Sequence, residues 1–329
     1  MTKAFGTHAS ARTRQQRWLL AALPAACLAA TPIRADEVNV VFAKDGLVER
    51  MAAEGRNSPA DVLLTNEFGL LTQAQSMGVT QALATPGLER AIPAELRDPA
   101  GHWFALTRRA RVVYAARDRV AQDAITYEEL AEPKWRGRIC SRSGQHTYNV
   151  ALVAAMLAHL GEAKAKIWLE GVKANLARKP AGGDREQVRD VHAGLCDLAI
   201  GNTYYMGAMQ TNARQPEQQQ WAASVKVLFP NADGRGTHVN VSGMALARHA
   251  PGRDAAVKLM EFLAGPAAQK LYAVANFEYP VSPGIPVSPL VAAWGALKAD
   301  TLALSAIAQL RKQASELVDK VNFDAGPSS

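Results

Sequence analysis

The sequence predicts an α/β fold on two observations. Short apolar, β-branched runs bounded by Gly, Pro or Asp alternate with segments of helical periodicity over residues 38–317. The chain has 329 residues, 48% of them hydrophobic and 20% charged, which is enough for two domains with cores of their own. Because strands alternate with helices, we expect mainly parallel sheets.

The individual elements follow from local patterns. Gly78 is placed to end a helix, and Pro266 suits the first residue of another. The predicted strands cover residues 38–42, 60–65, 103–106, 110–114, 138–140, 195–200, 225–229 and 239–246. The predicted helices cover residues 47–53, 66–77, 127–130, 150–160, 163–175, 185–193, 254–264, 266–275 and, in at least two pieces, 290–317.

The first 35 residues are typical of a secretory signal peptide. An apolar run at residues 18–30 is too short for a stable membrane anchor, and small residues allow cleavage near Ala30 or Ala35. We therefore expect a mature protein that is soluble outside the cytoplasm. The basic residues before the run are Lys3, Arg12, Arg14 and Arg17.

The positive charge of the chain belongs largely to this leader. Residues 1–35 carry five Lys or Arg and no Asp or Glu, so their removal lowers the formal net charge from +7 to +2. No block of Lys and Arg interleaved with aromatic residues remains, which argues against nucleic-acid binding.

Two cysteines, Cys140 and Cys196, follow the leader. In an oxidising compartment such a pair more often forms a disulfide than two free thiols. Each lies in a strand-like segment, so neighbouring strands bring them together. Neither has a second Cys or His at zinc spacing. The sequence therefore predicts a disulfide.

The stretch Leu195-Cys-Asp-Leu-Ala-Ile-Gly-Asn-Thr-Tyr-Tyr205 is the most informative one for function. It begins as a buried strand and ends in adjacent tyrosines at the strand end, where open α/β sheets bind ligands. Both phenols converge only if the backbone is irregular after Gly201. Phenolates are hard anionic ligands that suit ferric iron. The alternative is that one tyrosine packs in the core and the other is exposed.

Several blocks resemble the periplasmic ferric-iron-binding proteins, the solute-binding subunits of iron ABC transporters. The resemblance runs from about Val38 to the C-terminus. Its blocks are Val40-Val-Phe-Ala-Lys-Asp-Gly46, Pro59-Ala-Asp-Val-Leu-Leu-Thr65, Pro133-Lys-Trp-Arg-Gly-Arg-Ile139, Gly201-Asn-Thr-Tyr-Tyr205, Asn240-Val-Ser-Gly243 and Glu278-Tyr-Pro280.

The resemblance implies a two-lobed periplasmic-binding-protein fold with the ligand cleft between the lobes. It places residues 36–107 and 236–285 in the N-terminal lobe, and residues 108–235 and 286–329 in the C-terminal lobe. It also implies a monomer that delivers iron to an inner-membrane permease.

Tyr204 and Tyr205 match the family's two iron-binding tyrosines, and Tyr148 matches a third tyrosine used by one branch of the family. The turn formed by Ser141, Ser143 and Gly144 precedes a helix, whose N-terminal N–H groups suit a synergistic anion such as carbonate. His146, two residues from Tyr148, is interpreted first as a surface residue and second as a pH-sensitive neighbour of that tyrosine. Glu67 lies near an acidic ligand position of the family, but Asn66 occupies the aligned place, so that ligand is not carried over.

The chain departs from the family near Val38. The first strand and helix of the N-terminal lobe, which would supply a further cleft residue, are missing before the strand at residues 38–42. An internal deletion, a sequence error and an evolved variant all account for this. We expect the loss to expose the edges of neighbouring strands and to remove part of the core.

Three alternatives stay open. A small oxyanion bound by helix N-termini with Arg109 or Arg142 would leave the tyrosines structural. The chain could also be a non-functional remnant of the family. An enzyme is disfavoured, because no Gly-x-Ser-x-Gly, His-Glu-x-x-His or Gly-rich phosphate loop occurs. Asp184 and Asp197 are interpreted as a helix-start residue and a solvated strand-edge charge.

Overall fold

The computed structural model describes residues 37–42 and 46–327. The predicted signal peptide lies outside the described residues. Within the described part of the chain, no helix is both long and apolar enough to cross a membrane.

Strands and helices alternate for most of the chain, as the sequence predicts. The strands are β1 (Val40–Phe42), β2 (Val62–Thr65), β3 (Phe104–Ala116), β4 (Ile139–Cys140), β5 (Leu198–Asn202), β6 (Val225–Leu228), β7 (Val239–Leu246) and β8 (Tyr279–Pro280). The helices are α1 (Leu47–Glu54), α2 (Phe68–Ser76), α3 (Pro86–Ala91), α4 (Thr147–Ala174), α5 (Asp184–His192), α6 (Thr203–Gln210), α7 (Glu217–Ala223), α8 (Arg253–Ala264), α9 (Pro266–Leu271), α10 (Pro289–Ala292) and α11 (Leu304–Lys320).

The long strand β3 belongs to two groups of strands. Its residues 104–110 pair with β7 and β8, and its residues 111–116 pair with β5 and β6. We call the half built on β1, β2, β7, β8 and the start of β3 lobe 1. The half built on β4, β5, β6 and the end of β3 is lobe 2. The finer domain boundaries given by the sequence stay a prediction.

The expectation of mainly parallel sheets is wrong. Among the strands of the described residues, only β1–β2 and β4–β5 pair in parallel, whereas β2–β7 and every pairing of β3 are antiparallel. The reason is that β3 is shared by both lobes and runs opposite to each of its partners, β5, β6, β7 and β8. The sequence also predicts two strands at residues 103–106 and 110–114, which the structure joins into β3.

The two helices predicted between residues 150 and 175 are confirmed, because α4 consists of two helical stretches with non-helical backbone at Gly161 (φ 74°) between them. The segment after β5 differs from the prediction. Helix α6 begins directly after β5, so Tyr204 and Tyr205 lie in its first turn. The irregular backbone expected at this point is therefore wrong.

Strand β1 is the edge strand of lobe 1. It pairs in parallel with β2, from Val40 opposite Val62 to Phe42 opposite Leu64. Val40 is 43% exposed and Phe42 51% exposed, although both are large and apolar. Among the described strands β1 pairs only with β2, so its other edge has no strand partner there.

The disulfide prediction is confirmed. Cys140 ends β4 and Cys196 precedes the neighbouring strand β5; a disulfide joins them, with their Cα atoms 5.9 Å apart. Both cysteines are buried. The bond fastens the two parallel strands of lobe 2 just before the tyrosine-bearing helix α6.

Candidate metal centre

The first turn of α4 holds Tyr148. The side chain of His146 caps the helix, because its Nδ1 accepts a hydrogen bond from the Tyr148 N–H at 3.3 Å. The two rings meet edge to face with their centroids 4.5 Å apart. Tyr148 is largely buried. His146 therefore acts as a capping and packing residue in this structure.

Helix α6 brings the other two predicted tyrosines to the same point. The hydroxyl oxygens of Tyr148 and Tyr204 lie 3.1 Å apart. The rings of Tyr204 and Tyr205 have their centroids 4.3 Å apart and are tilted by 37°. The first turn of α6 brings the two phenols together, whereas the sequence predicts irregular backbone for this purpose. All three tyrosines named from the sequence come together.

The end of β5 is positioned by a close approach to Tyr114. A Cβ at Gly201 would lie 2.3 Å from the Tyr114 ring, so only glycine leaves room for that ring. The Tyr114 hydroxyl donates to the carbonyl oxygen of Asn202. This contact fixes the backbone immediately before α6, and with it the start of the tyrosine pair.

Three arginines surround the Tyr148 ring. The guanidinium carbons of Arg109, Arg111 and Arg142 lie 5.6, 5.8 and 5.3 Å from its centroid. Arg109 and Arg111 occupy alternate positions on β3, so both side chains leave the same face of the strand. Two of these arginines act on the neighbouring phenols, since Arg109 opposes the rise that burial causes in the pKa of Tyr204 and Arg142 opposes that of Tyr205. The centre is therefore built to accept negative charge on its tyrosines.

A buried polar network holds this arrangement in place. Asp184, the first residue of α5, accepts hydrogen bonds from Arg111 Nη1 at 2.6 Å and from Arg142 Nη1 at 3.1 Å. It also accepts from the backbone N–H of Asn202 at 2.8 Å. The Oδ1 of Asn149, next to Tyr148, accepts from Arg111 Nη2 at 2.7 Å. The network thus joins β3, α4, α5 and β5.

Burial keeps the phenols of Tyr204 and Tyr205 protonated in the absence of a cation. Burial raises the pKa of Tyr204, and the neighbouring Tyr148 and Tyr205 raise it further. Burial is also the main cause of the raised pKa of Tyr205. Burial, with Arg142 and Arg111, lowers the pKa of His146 to about 4, so its ring is neutral at pH 7. A cation bound by the phenols must therefore displace their protons.

The predicted anion site has an internal partner. The Oδ2 of Asp324 accepts a hydrogen bond from Ser143 Oγ at 2.6 Å, and its Oδ1 accepts one from the Gly144 N–H at 2.7 Å. The third residue of the set, Ser141, accepts from Asn149 Nδ2 at 3.1 Å. A carboxylate of the protein thus takes the place expected for a small anion.

Two spaces meet the tyrosine cluster. A cavity of about 410 Å³ lies beside Tyr204, and Arg109 and Glu278 are among the residues that line it. Burial raises the pKa of Glu278. A cleft of about 600 Å³ separates α2 of lobe 1 from α4 and α11 of lobe 2, and Tyr148 opens onto it. Among the described residues, no group of three His, Cys, Asp or Glu side chains is arranged to hold a metal ion.

Some residues of this region are not found by sequence reasoning. Asp184 is predicted as a helix start, which is confirmed, but its ion pairs with Arg111 and Arg142 are not. The only local signal in the sequence for the arginine cluster is that Arg109 and Arg111 lie two positions apart on β3. Glu67, set aside as a ligand, is bound instead to Arg311 at 2.9 Å and to Asn240 at 3.1 Å.

The comparisons with known proteins agree with one another. The family described as bacterial extracellular solute-binding protein matches residues 57–294. Iron uptake protein A2 of Synechocystis is 42% identical over 291 residues, which cover 87% of this chain and 84% of that protein.

Two solved structures have the same fold. The Bordetella ferric binding protein is 52% identical, has a TM-score of 0.82, and matches over 88% of this chain and 91% of its own. The apo ferric ion-binding protein A of Pasteurella haemolytica is 43% identical, has a TM-score of 0.83, and matches over 88% of this chain and 99% of its own.

Proposed function

This chain belongs to the family of bacterial extracellular solute-binding proteins, and from that membership we propose that it captures ferric iron and delivers it to an inner-membrane permease of an ABC transporter. The names of relatives support the choice of iron, because a relative with 42% identity is an iron uptake protein and one with 52% identity is a ferric binding protein. The protein acts in the periplasm as a carrier and not as an enzyme.

The observation that carries this proposal is the meeting of three phenols at one point. The oxygens of Tyr148 and Tyr204 are at hydrogen-bonding distance, 3.1 Å, and the Tyr205 ring lies against that of Tyr204. On losing their protons, these groups supply three negative oxygens. Three phenolates neutralise the charge of Fe³⁺, so a buried centre of this composition is not left with a net charge that burial would penalise.

The arginine cluster helps the protons to leave. Against the larger effect of burial, Arg109 lowers the pKa of Tyr204 and Arg142 lowers that of Tyr205, so each favours phenolate at one of these tyrosines. Arg111 and Arg142 share the carboxylate of Asp184, whereas Nε and Nη2 of Arg109 have no hydrogen-bond partner in the described part of the chain. In this proposal Tyr148, Tyr204 and Tyr205 bind the ion and the arginines set their electrostatic environment.

Carbonate as a synergistic anion at Ser141, Ser143 and Gly144 is a further part of the proposal, and it requires Asp324 to give way. Titration with ferric iron in buffers with and without bicarbonate tests it. The Asp324→Asn variant, which weakens the internal acceptor, is expected to gain more from bicarbonate than the unsubstituted protein. Equal affinities in both buffers for both proteins would remove carbonate from the site.

Visible absorption on addition of ferric citrate tests the iron site. Tyrosinate–iron charge transfer is expected to give a band that the apoprotein and citrate lack. Tyr204→Phe and Tyr205→Phe each remove one anionic oxygen and keep the ring, so each is expected to weaken or blue-shift the band while Tm changes little. Tyr148→Phe is expected to do the same more weakly.

The control is a phenol outside the cluster that has no role in this scheme. Tyr279 lies on β8 and its hydroxyl has no hydrogen-bond partner in the described part of the chain, so Tyr279→Phe is expected to leave the band unchanged. A Tyr205→Phe variant that kept the band but lost stability would make Tyr205 a packing residue. If the unsubstituted protein shows no band on addition of ferric citrate, the proposed function is wrong.

A further inference from the structure

Arg311, in the middle of α11, joins the two lobes through one guanidinium group. Its Nη1 donates to Glu67 Oε1 at 2.9 Å, and its Nη2 donates to Thr147 Oγ1 at 2.8 Å. Glu67 immediately precedes α2 of lobe 1. Thr147 is the first residue of α4 in lobe 2 and directly precedes Tyr148. One side chain thus connects lobe 1 to the turn of helix that carries a proposed iron ligand.

The Glu67 end of this connection is buried and held. The side chain of Glu67 is only 5% exposed, and its Oε1 also accepts from Asn240 Nδ2 at 3.1 Å. Asn240 in turn accepts a hydrogen bond from the backbone N–H of Phe68, at 3.2 Å. An ion pair on the open surface contributes little to the stability of the folded protein, whereas removing one partner of a buried pair lowers that stability strongly. The Arg311 side chain is 23% exposed, so the pair lies between these limits, and its buried Glu67 end makes separation costly.

Gly69 leaves the room that this pair needs. A Cβ at position 69 would lie 2.7 Å from Arg311 Nε and 2.6 Å from Glu67 Oε2, which is closer than real Cβ atoms come. Any side chain there would push the guanidinium and the carboxylate aside. Position 69 thus offers a way to disturb the pair without removing either charge.

The pair also lies across the cleft. Glu67, Gly69 and Arg311 line the same space of about 600 Å³ as His146 and Tyr148. Lobe 1 cannot move away from α4 and α11 at this point unless the ion pair between Arg311 and Glu67 breaks. Whatever separates the lobes here also releases the Thr147 contact or pulls on it.

We propose that Arg311 is a positioning residue, which holds the lobes together and the first turn of α4 in place, and thereby slows the loss of bound iron from Tyr148. The proposal rests on the proposed function and deepens it. Arg311 does not bind the ion in this scheme. It acts through Thr147 on the neighbouring tyrosine and through Glu67 on the opening of the cleft.

The rate of iron loss to an excess of chelator, followed by the decay of the visible band, tests this role. The Arg311→Met variant keeps the three phenols and is expected to show the band but to lose iron about tenfold faster, the effect of one charged hydrogen bond. The matched control is Lys312→Met. Lys312 neighbours Arg311 on α11, and its side chain is 90% exposed. The control is expected to lose iron at the unsubstituted rate.

Two further variants separate positioning from general destabilisation. Gly69→Ala keeps both charges and is also expected to speed iron loss, so it replaces Arg311→Met if that variant does not fold. The effect of Arg311→Met is expected to be smaller in a Tyr148→Phe background, because the residue through which it acts is then no ligand. Independent effects of the two substitutions would contradict positioning.

The outcomes for the two proposals differ. A normal band with equal release rates for the unsubstituted protein, Arg311→Met and Gly69→Ala would overturn the positioning role and leave the iron site standing. Absence of the band from the unsubstituted protein would overturn the iron site, and the role of Arg311 with it.

Discussion

The carboxylate of Asp184 binds the guanidinium of Arg111 at 2.6 Å, and both side chains are buried. The pair joins residues 73 positions apart in the sequence, one on a strand between the lobes and the other at the start of α5. Because Asp184 also binds Arg142, the single negative charge of one carboxylate is shared by two arginines next to the tyrosines. Stability and the electrostatics of the candidate iron site thus depend on the same residue.

We expect Asp184→Asn to lower the free energy of unfolding of the iron-free protein by about 3 kcal/mol, because it leaves buried guanidinium groups without their counter-charge. Urea denaturation measures this. Asp254→Asn is the control, since the Asp254 side chain is 93% exposed, and it is expected to change little. Equal stability of the two variants would show that Arg111 and Arg142 find other partners.

Iron affinity is expected to fall as the pH falls. The raised pKa of Tyr204 and of Tyr205 means that both are protonated at neutral pH, so binding must release their protons. The affinity should therefore drop about tenfold per pH unit for each proton released. With a pKa of about 4, His146 stays neutral between pH 5 and pH 8 and contributes nothing in that window.

Chelator competition from pH 8 to pH 5, with proton release measured in weakly buffered solution, checks this dependence. Tyr205→Phe should release one proton fewer than the unsubstituted protein and show a correspondingly shallower slope. An affinity that stays flat over this range would be incompatible with phenolate ligands.

The sequence locates the candidate site better than it describes its surroundings. Tyr148, Tyr204 and Tyr205 are found because adjacent residues at a strand end and a family resemblance both mark them. Their environment depends on contacts between distant residues, such as Arg311 with Glu67, which are 244 positions apart. No local period or spacing encodes such a pair. The same limit explains why the sequence predicts two strands, at residues 103–106 and 110–114, where the structure has β3. The apolar runs indicate strands, but not that one strand continues from one lobe to the other.

The disulfide is expected to be complete in the mature protein and to stabilise it. Titration of the unfolded, unreduced protein should find no free thiol, and two free thiols would contradict the bond. Its cysteines are 56 positions apart, so closing that loop in the unfolded chain corresponds to about 4 kcal/mol. The Cys140→Ser, Cys196→Ser double variant should lose stability of that order in urea. Its visible band should persist, since neither sulfur belongs to the iron site.

Strand β1 exposes large apolar side chains of lobe 1. Phe42, half exposed, lines the cavity of about 410 Å³ together with Leu64 and Leu106, beside Tyr204. An apolar wall open to solvent next to a proposed ligand weakens both the core and the exclusion of water. We therefore expect the chain as it stands to melt at a low temperature and to lose iron readily to a modest chelator.

Supplying the first strand and helix that the family resemblance predicts to be missing should raise both properties. We expect a relative's first strand and helix, inserted between Val38 and Asn39, to bury Phe42 and the edge of lobe 1. Each kcal/mol gained should raise Tm by about 2–4 °C for a protein of this size. Iron should then leave more slowly, because closing the cleft gains contacts that lobe 1 now lacks. A Gly-Ser insert of equal length is the control. If the present chain already melts at an ordinary mesophile temperature and retains iron against citrate, β1 has taken over the role of the strand that relatives place before it.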